Sequence, residues 1–392
     1  MENVRIGIVG IGNMGSAHMA CISEGRIKGL VLGALCDSDP ARLALCEERC
    51  PDVPRFADYH EMIKSGLIDA ILIAVPHRLH AQIAIEALEN GLHALTEKPG
   101  DVTITAVKKL IEVAKGTDKV FGIMFNQRTN PLFAKAREIV KSGQLGELKR
   151  SVWIITNWYR SQHYYDSGSW RATWAGEGGG VLLNQAPHNL DLWQWICGMP
   201  VQMTAFCDIA KYHNIEVEDD ATLMVRYENG ATGLFITTTG ECPGTNRLEI
   251  SGTLGKLVLE NGLLKWWKLN RSEREICVTD TANSPKFDGE IIEITPDHKE
   301  TAHAGILQNF TNAILYGEEL LAPGPDALYE LTLSNAAYLS QWTGNKPVDI
   351  PFDSAEFDAL LAEYAAKSAY DPEKEQDTEN STGYSHRWQV NW

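Results

Sequence analysis

Three short segments of this sequence combine residue types and spacings that suit chemistry beside a bound nucleotide. Residues 10–15 follow the G-x-G-x-x-G spacing of turns that approach a pyrophosphate closely. Lys98 carries an ammonium group that can stabilise a developing oxyanion. Asn184 and His188 offer an amide and a general acid or base. A dinucleotide turn together with a lysine, an amide and a histidine is expected to bind a nucleotide and a small polar ligand.

The glycine turn has the sequence context that a dinucleotide site needs. Apolar residues 4–9 are expected to form a strand before it, and a helix is expected from residue 14. The first glycine permits the bend, the second lets a phosphate approach, and the third lets the helix pack on the strand. Amides at the helix N-terminus then face the phosphates. A purely structural turn is the alternative. The predicted cofactor contacts are Gly10, Gly12, Asn13, Met14 and Gly15.

Asp37 indicates which dinucleotide is bound. It follows the second expected strand, residues 30–36, about 20 residues beyond the turn, where an acidic side chain accepts hydrogen bonds from adenosine ribose hydroxyls. The same charge repels a 2′-phosphate, so NAD is expected rather than NADP. The alternative is that Asp37 merely caps the helix expected from residue 39.

A second set of candidate residues follows two further expected strands, residues 69–75 and 93–96. Ligands of open α/β sheets bind outside the carboxyl ends of the strands. Lys98 is therefore expected to polarise or protonate a reacting oxygen, although a surface lysine is the alternative. The cofactor contacts predicted from this edge are Val75, Pro76, His77, His80, Glu97 and Lys98.

The third segment begins with three glycines, residues 178–180. They are expected to open a helix that continues to about residue 196. On such a helix Asn184 and His188 lie one turn apart on the same face and can reach one small ligand together. A histidine satisfied within the core is the alternative.

Aromatic residues concentrate between positions 153 and 174, where four of the 11 tryptophans lie among polar side chains. Aromatic faces beside hydrogen-bonding groups suit the C–H faces and hydroxyl rims of sugars. A tryptophan-rich core edge or a subunit interface is the alternative. The four tryptophans are Trp153, Trp158, Trp170 and Trp174. The predicted substrate contacts are Lys98, Arg128, Trp158, Tyr159, Arg160, Tyr165, Asn184 and His188.

The order of the expected elements places these segments in two domains. Through about residue 125, apolar strands alternate with helices, which is typical of a parallel sheet covered on both faces. Beyond it, Asn-Gly pairs at 229–230 and 261–262 separate alternating strands and predict hairpins of a largely antiparallel sheet. The predicted domains are residues 1–125, residues 126–370 and a polar tail, residues 371–392, whose Trp388 and Trp392 either dock or fray.

The composition limits the class of protein. Of the 392 residues, 44% are apolar and 22% charged, the usual balance of a globular enzyme. Lys and Arg number 35 against 52 Asp and Glu, and the net charge of -17 disfavours nucleic acid and anionic membrane as partners. The longest apolar stretches fall short of the roughly 20 residues that span a bilayer. The 8 cysteines lack zinc-site spacing and are expected as free thiols. Because no stretch suits a membrane span and the N-terminal residues lack a signal-peptide pattern, a cytoplasmic protein is predicted. No metal is expected to be required, because a lysine can supply the positive charge.

Together these segments resemble the glucose-fructose oxidoreductase/inositol dehydrogenase (Gfo/Idh/MocA) family, from residue 4 to about residue 345. The resemblance implies an α/β protein with an N-terminal Rossmann domain, built on a doubly wound parallel sheet, and a C-terminal α+β domain with a large, mostly antiparallel open sheet. It also implies a homodimer or homotetramer assembled through that sheet. The marks are the glycine turn, Pro76-x-x-x-His80, Glu97-Lys98-Pro99, the glycine-led segment with His188, and Trp170-Arg171, which joins the expected cofactor contacts.

The resemblance also assigns catalytic roles, to Lys98, His188 and Asn184. Lys98 matches a lysine that contacts the reacting hydroxyl and the nicotinamide region, and His188 matches a general acid/base. Asn184 stands where the family commonly has an acidic residue, so it can hold a hydroxyl but adds no charge to raise the pKa of His188. Asp191 is a candidate source of that charge. His77 stands where relatives often have Asn.

The expected reaction is oxidation by NAD of a secondary hydroxyl of a sugar or glycoside to a ketone, or the reverse, with C3 as the first choice of position. Inositol oxidation within the same family is one alternative. A non-catalytic, NAD-sensing regulatory protein on the same fold, as in the galactose-pathway repressor branch, is another, and the presence of both Lys98 and His188 argues against it.

Overall fold

The structure is a computed structural model that describes residues 2–168 and 170–370. The predicted polar tail, with Trp388 and Trp392, lies outside the described residues. No helix among those described is long and apolar enough to cross a bilayer.

The first part of the chain forms a six-stranded sheet in which every pairing is parallel. The strand order β3-β2-β1-β4-β5-β6 is that of a dinucleotide-binding Rossmann domain, which confirms the predicted fold class. The strands are β1 (Val4–Val9), β2 (Leu30–Cys36), β3 (Arg55–Phe56), β4 (Ala70–Ile73), β5 (His93–Thr96) and β6 (Phe121–Ile123). The helices are α1 (Asn13–Ser23), α2 (Pro40–Arg49), α3 (Tyr59–Lys64), α4 (His80–Glu89) and α5 (Ile104–Lys115).

Strand β3 and helix α3 are the elements of this sheet that the sequence pattern did not predict. β3 has only 2 residues, too few for a periodicity to be visible. α3 has 6 residues and begins at a side-chain cap, since Asp58 accepts a hydrogen bond from the amide of His60. Both lie at the outer end of the sheet, away from the strands that precede Lys98.

The second part forms a nine-stranded sheet in the order β14-β13-β12-β11-β7-β10-β9-β8-β15. All its neighbouring strands are antiparallel except the pair β7 and β10. The strands are β7 (Leu148–Ile155), β8 (Gln202–Ile209), β9 (Glu218–Arg226), β10 (Thr232–Thr238), β11 (Asn246–Gly252), β12 (Gly255–Glu260), β13 (Leu263–Leu269), β14 (Gly289–Ile294) and β15 (Val348–Asp349). The helices are α6 (Pro131–Lys141), α7 (Gln162–Asp166), α8 (Pro187–Cys197), α9 (Glu273–Thr279), α10 (Ala302–Tyr316), α11 (Ala327–Trp342) and α12 (Ser354–Ala365).

The predicted hairpins are present. Between β12 and β13, Asn261 has φ 52° and Gly262 has φ 71°. Two consecutive positive φ values are what a two-residue hairpin turn of type I′ requires, and Asn-Gly is the pair that adopts them most readily. The local sequence therefore sets the register of this part of the sheet.

The helix predicted from the three glycines was wrong in its start. Residues 181–185 form turns, and α8 begins at Pro187. Proline has no amide hydrogen to continue an earlier helical hydrogen-bond ladder, and it suits the first turn of a new helix. Asn184 thus lies in the turn before α8, not one turn below His188 on the same helix face.

The two parts are joined by hydrogen bonds from buried side chains. Asn335 of α11 accepts a hydrogen bond from the amide of Ile104 at 3.1 Å and donates one to the carbonyl of Val102 at 3.0 Å. At the opposite end of β1, Gln308 of α10 accepts from the amide of Lys28 at 2.8 Å. These contacts fix α10 and α11 against the first sheet. In this arrangement Lys98, in the segment after β5, lies next to Asn184, in the turn before α8.

Candidate active site

The glycine turn between β1 and α1 has no room for side chains at two of its three glycines. Gly10 has φ 86°, and a Cβ there would lie 2.5 Å from the carbonyl oxygen of Ala74. A Cβ on Gly15 would lie 1.8 Å from the carbonyl oxygen of Gly10. At Gly12 a Cβ would meet only a nitrogen of Arg42, at 3.3 Å, among the described atoms. The open side of Gly12, at the N-terminus of α1, therefore fits the close approach of a pyrophosphate.

Asp37 ties the end of β2 to this turn. One carboxylate oxygen accepts a hydrogen bond from the amide of Ile11 at 2.7 Å, and the other accepts from the amide of Asp39 at 2.9 Å. A nitrogen of Arg42 lies 3.6 Å away. Asp39, not Asp37, caps α2, because its side chain accepts from the amide of Ala41. A carboxylate has about four acceptor directions, so Asp37 retains capacity for ribose hydroxyls.

His80 joins the two loops that follow β4 and β5. Its Nε2 lies 2.7 Å from the carbonyl oxygen of Val75, and its Nδ1 lies 2.6 Å from that of Pro99. The side chain is buried. His80 thereby links the Val75–Pro76 peptide to the Pro99–Gly100 peptide at one edge of the sheet.

The ammonium of Lys98 reaches across to the second half of the protein. Its Nζ donates a hydrogen bond to the main-chain oxygen of Asn184 at 2.8 Å. Burial lowers the pKa of Lys98, and the charges of Glu97, Glu330 and Glu177 oppose that effect. An ammonium has three donors, so two remain for a ligand after the contact with Asn184.

Glu97 contacts both His18 and the main chain of Lys98. Its Oε1 lies 2.7 Å from Nε2 of His18 in α1, and its Oε2 accepts from the amide of Lys98 at 3.3 Å. Burial opposes ionisation of this carboxyl, but the hydrogen bond and charge of His18, together with His303 and Lys98, lower its pKa to about 2. Glu97 is therefore an anion at neutral pH and is positioned behind the site.

His188 is the candidate base. Its Nδ1 is buried and has no hydrogen-bond partner within the described ranges. Burial lowers the pKa of His188 well below 6.5, the charge of Lys98 lowers it further, and Glu97 opposes both. The imidazole is thus neutral at pH 7 and can accept a proton.

The structure adds groups that the sequence pattern did not single out. His303, from α10, packs edge-on against His18, with ring centroids 5.5 Å apart. Burial lowers the pKa of His303 to about 4. Glu177 accepts a hydrogen bond from Nδ2 of Asn184, and Glu330, from α11, interacts electrostatically with Lys98. His303 and Glu330 lie on distant elements, so no local motif predicts them. Glu177 directly precedes the three glycines, but no spacing marks it as a partner of Asn184.

Arg128 is not placed among these groups. It is 2% exposed, and its guanidinium donates to both oxygens of Asp191, at 2.8 and 2.6 Å, and to Asp326 at 2.6 Å. Asp191 is therefore the partner of Arg128, and the expectation that it supplies charge to His188 remains a prediction. The predicted substrate contact through Arg128 remains a prediction, although its guanidinium is already paired.

The four tryptophans of the aromatic segment divide into two pairs. Trp153 lies in the core and donates to Asn246, while Trp174 is buried against Tyr338. For these two the alternative of a core position is correct. Trp158 and Trp170 are half-buried and lie nearer the site. Trp158 donates to Asn189, which follows His188 at the start of α8.

The remaining predicted contacts lie around Tyr164. The guanidinium of Arg160 lies 5.1 Å from the centre of its ring and that of Arg171 lies 4.7 Å away. Tyr165 is buried and bonds Thr239, whereas Tyr159 is 49% exposed. The ring of Trp170 packs edge-on against His77, whose Nδ1 faces the carbonyl oxygen of Glu177 at 3.3 Å.

The segment from Trp170 to Gly180 is anchored on the cofactor domain. Arg78 donates to the carbonyls of Ala175 at 2.8 Å and of Trp174 at 2.7 Å. The aromatic segment is thereby fixed against the loop that follows β4. Over residues 2–168 and 170–370, no three His, Cys, Asp or Glu side chains are grouped so that they could hold a metal ion.

Comparisons with known proteins agree with this architecture. Residues 4–125 match the family model described as an oxidoreductase family with an NAD-binding Rossmann fold, and residues 133–258 match the GFO/IDH/MocA C-terminal domain. The expected NAD-binding domain is thus confirmed.

The individual relatives have low sequence identity to this chain. The chain is 24% identical to the myo-inositol 2-dehydrogenase of Thermotoga maritima over 340 residues, which are 85% of this chain and 95% of that protein. It is 27% identical to the levoglucosan dehydrogenase of Pseudarthrobacter phenanthrenivorans over 290 residues, 66% of this chain and 74% of that one. Among solved structures, the WlbA dehydrogenase of Bordetella pertussis, in complex with NADH and UDP-GlcNAcA, has a TM-score of 0.74 at 24% identity, covering 90% of this chain and 100% of that chain.

Proposed function

The chain belongs to the Gfo/Idh/MocA family of oxidoreductases, and from that premise we propose that it oxidises a secondary hydroxyl of a sugar or glycoside to a ketone, or catalyses the reverse reduction. The observation that carries this proposal is the meeting of Lys98 with the turn before α8, at the carboxyl edge of an NAD-binding sheet. We place the oxidation at C3 of the ring.

The residues that would hold NAD are those of the glycine turn, with Asp37 at the adenosine ribose. When bound, NAD supplies the acceptor for the hydride that leaves the carbinol carbon. Val75, Pro76, His77 and His80 belong to the same edge of the sheet, and Trp170 and Arg171 line it from the second half of the protein. This edge of the sheet is half-buried, and hydrogen bonds to main-chain carbonyls hold its loops in place. Such a position suits a nicotinamide that must be kept from bulk water.

Lys98 and His188 divide the proton and charge work between them. The neutral imidazole of His188 takes the hydroxyl proton, because burial keeps its pKa well below 6.5. The two remaining donors of the Lys98 ammonium stabilise the alkoxide as it develops. Asn184 holds a substrate hydroxyl through its amide oxygen, since its amide nitrogen donates to Glu177.

The substrate class is supported by the half-buried aromatic groups at the site. Trp158, the ring of Tyr164 and the two arginines that flank it form a wall of flat faces and hydrogen-bond donors. Such a wall suits a pyranose, whose faces are apolar and whose rim is polar. The predicted contacts of Arg160, Tyr159 and Tyr165 belong to this proposal.

The test is a substrate panel with NAD. Pyranosides, free sugars, levoglucosan and inositols are assayed for NADH formation, and the product of the best substrate is analysed by NMR for the position of the ketone. Turnover of pyranosides with a C3 ketone is the expected result. Activity on inositols alone contradicts the glycoside proposal.

Two alternatives are decided by the same panel. Inositol oxidation is favoured by the relative from Thermotoga maritima, which covers 85% of this chain. A non-catalytic NAD-binding regulator is the other, and it predicts NAD binding without turnover of any member of the panel. The presence of both Lys98 and His188 favours an enzyme.

We also propose that the second sheet assembles the protein into a homodimer or homotetramer. One face of the sheet is covered, since α11 packs on β8. On the other face Phe206 and Met224 are each 56% exposed. Light scattering of the wild type and of M224D tests this, because a buried charge at an apolar interface favours dissociation. A monomeric wild type contradicts it.

Finally, we propose a cytoplasmic location. All 8 cysteines are free thiols, and four of them are buried. Unpaired thiols are typical of a reducing compartment. Cell fractionation with an antibody against the protein tests this, and recovery in an oxidising compartment contradicts it.

A further inference from the structure

The side chain of Asn184 is neutral, and a buried carboxylate, that of Glu177, lies against its amide group. We propose that Glu177 supplies a negative charge to this site, as a positioning residue that orients the side chain of Asn184 and holds Lys98 in its ammonium form. The inference rests on the proposed function for its kinetic consequences, and its electrostatic consequence is measurable without turnover.

The contacts of Glu177 place it at the centre of the site's supporting structure. One carboxylate oxygen accepts from Nδ2 of Asn184, and the other accepts from the amide of Ala172 at 2.6 Å. Ala172 has φ 52°, a left-handed backbone conformation that residues other than glycine rarely adopt. Its amide points at the carboxylate of Glu177. Glu177 is 2% exposed, so water does not replace these donors at low cost.

The carboxylate fixes the orientation of the Asn184 amide. An ionised carboxylate only accepts hydrogen bonds, so the amide group that faces Glu177 is the NH2 group. The amide oxygen of Asn184 is thereby the acceptor left for a substrate hydroxyl. The main chain of the same residue is held too, because its carbonyl oxygen accepts from Nζ of Lys98 at 2.8 Å. Asn184 therefore connects the carboxylate of Glu177 to the ammonium of Lys98.

Glu177 also acts on Lys98 through its charge. Burial lowers the pKa of Lys98, and Glu177 is one of three carboxylates that oppose this. Burial raises the pKa of Glu177 itself, but Arg171, its two hydrogen-bond donors and Lys98 favour its ionised form. The titratable and charged groups that interact with Lys98 are Glu97, Glu177, Glu330, Arg171, His77, His80, His188 and His303.

The decisive experiment exchanges the two side chains. E177Q removes the charge, N184D places two carboxylates against each other, and E177Q/N184D restores one donor, one acceptor and one negative charge. In the double variant the amide of the glutamine donates to the new carboxylate at position 184. If Glu177 only fills space, the exchange has no reason to repair either single change.

The first readout is the protonation of Lys98. The rate at which Lys98 reacts with an amine-selective acylating reagent, followed by peptide mass spectrometry across pH, reports its neutral form. We expect the curve of E177Q to move to lower pH, because a neighbouring negative charge is lost, and the curve of the double variant to return towards wild type. E228Q, at an exposed hairpin position, is the matched control and should leave the curve in place. A curve for E177Q that superimposes on the wild type overturns the inference.

The second readout is the rate with the best substrate of the panel. We expect kcat of E177Q to fall about 10- to 100-fold, the usual effect of losing a charged hydrogen bond, with its alkaline limb at lower pH. The double variant should recover most of that loss. A double variant no better than the poorer single variant overturns the inference. If E177Q does not fold, as judged by its melting curve, the comparison of N184D with E177Q/N184D decides in the same way.

The two proposals fail separately. Absence of turnover on the whole panel, with the acylation curves shifted as expected, defeats the proposed function and leaves the positioning role of Glu177 standing. Normal turnover with unshifted acylation curves supports the proposed function and defeats the positioning role of Glu177.

Discussion

Two cations at the join between the two sheets are bound in different ways. Arg128 is buried, and its guanidinium is matched by the carboxylates of Asp191 and Asp326. Lys98 is half-buried, and within the described residues its ammonium donates to one main-chain carbonyl, that of Asn184. The acidic groups around Lys98 act on it through space, whereas those of Arg128 contact it directly.

This is the difference expected between a cation with a structural role and one that, as proposed for Lys98, binds a reacting group. Nearly all the N–H groups of Arg128 are used, since its NH1 also donates to the carbonyl of Leu321 at 3.0 Å. A guanidinium in that state has little capacity for a ligand. Within residues 2–168 and 170–370, two donors of the Lys98 ammonium have no hydrogen-bond partner, and its charge acts on the imidazole of His188. Keeping an ammonium half-buried with donors that no protein group uses costs free energy, which a bound ligand would recover.

The largest effect on stability is expected at Arg128. R128M leaves Asp191 buried without its partner, and breaking a buried ion pair costs about 3–5 kcal/mol. The measurement is the free energy of unfolding in urea, with R49M at an exposed position as control. A loss as small as that of the control contradicts the structural role. If R128M does not fold, R128K, which keeps the charge but loses the bidentate contact, should still be clearly less stable than the wild type.

Lys98 should show the opposite behaviour. K98M is expected to lower kcat by about 100- to 1000-fold, the range seen when one stabilising donor is removed from a developing oxyanion. Its unfolding free energy and its NAD affinity, measured by fluorescence titration, should stay near wild type. K108M, on the exposed face of α5, is the control. Undiminished turnover in K98M refutes the role of Lys98 and removes the contrast with Arg128.

Some positions at this site could be predicted from the sequence, and others could not. The glycine turn, Asp37 and Lys98 were predicted because each ends a strand of a parallel sheet, and such strand ends meet at one edge. His303 and Glu330 were not, because they come from α10 and α11 and only tertiary packing brings them to Lys98. Glu177 directly precedes the three glycines, but no spacing or periodicity marks an acidic residue there as a partner of Asn184. The start of α8 was misplaced because Pro187 interrupts a pattern whose apolar residues continue through it.

Asp37 is an anion that, like Lys98, has hydrogen-bonding capacity left for a ligand, because its carboxylate accepts from the amides of Ile11 and Asp39. D37S removes an acceptor from the amides of Ile11 and Asp39 and removes the charge that repels a 2′-phosphate. We expect the preference for NAD over NADP to fall about 10-fold or more, in line with the loss of a charged hydrogen bond. The ratio of kcat/KM for the two cofactors measures this, with D52S as an exposed control. An unchanged ratio places the ribose contact elsewhere.

The finest test of the contrast is the pH profile, because the guanidinium of Arg128 stays protonated, whereas burial lowers the pKa of both Lys98 and His188. Burial and the charge of Lys98 lower the pKa of His188 below 6.5, with His303 adding to them and Glu97 opposing. The base works when neutral, so kcat/KM should hold at pH 6.5 and fall only at lower pH.

On the alkaline side, burial lowers the pKa of Lys98 below 10.5, so activity should fall as the ammonium loses its proton before that pH. K98R should keep its charge and move this limb to higher pH, at reduced rate, because a guanidinium stays protonated. An alkaline limb that is unmoved in K98R assigns it to another group, and Lys98 would then share the passive role of Arg128.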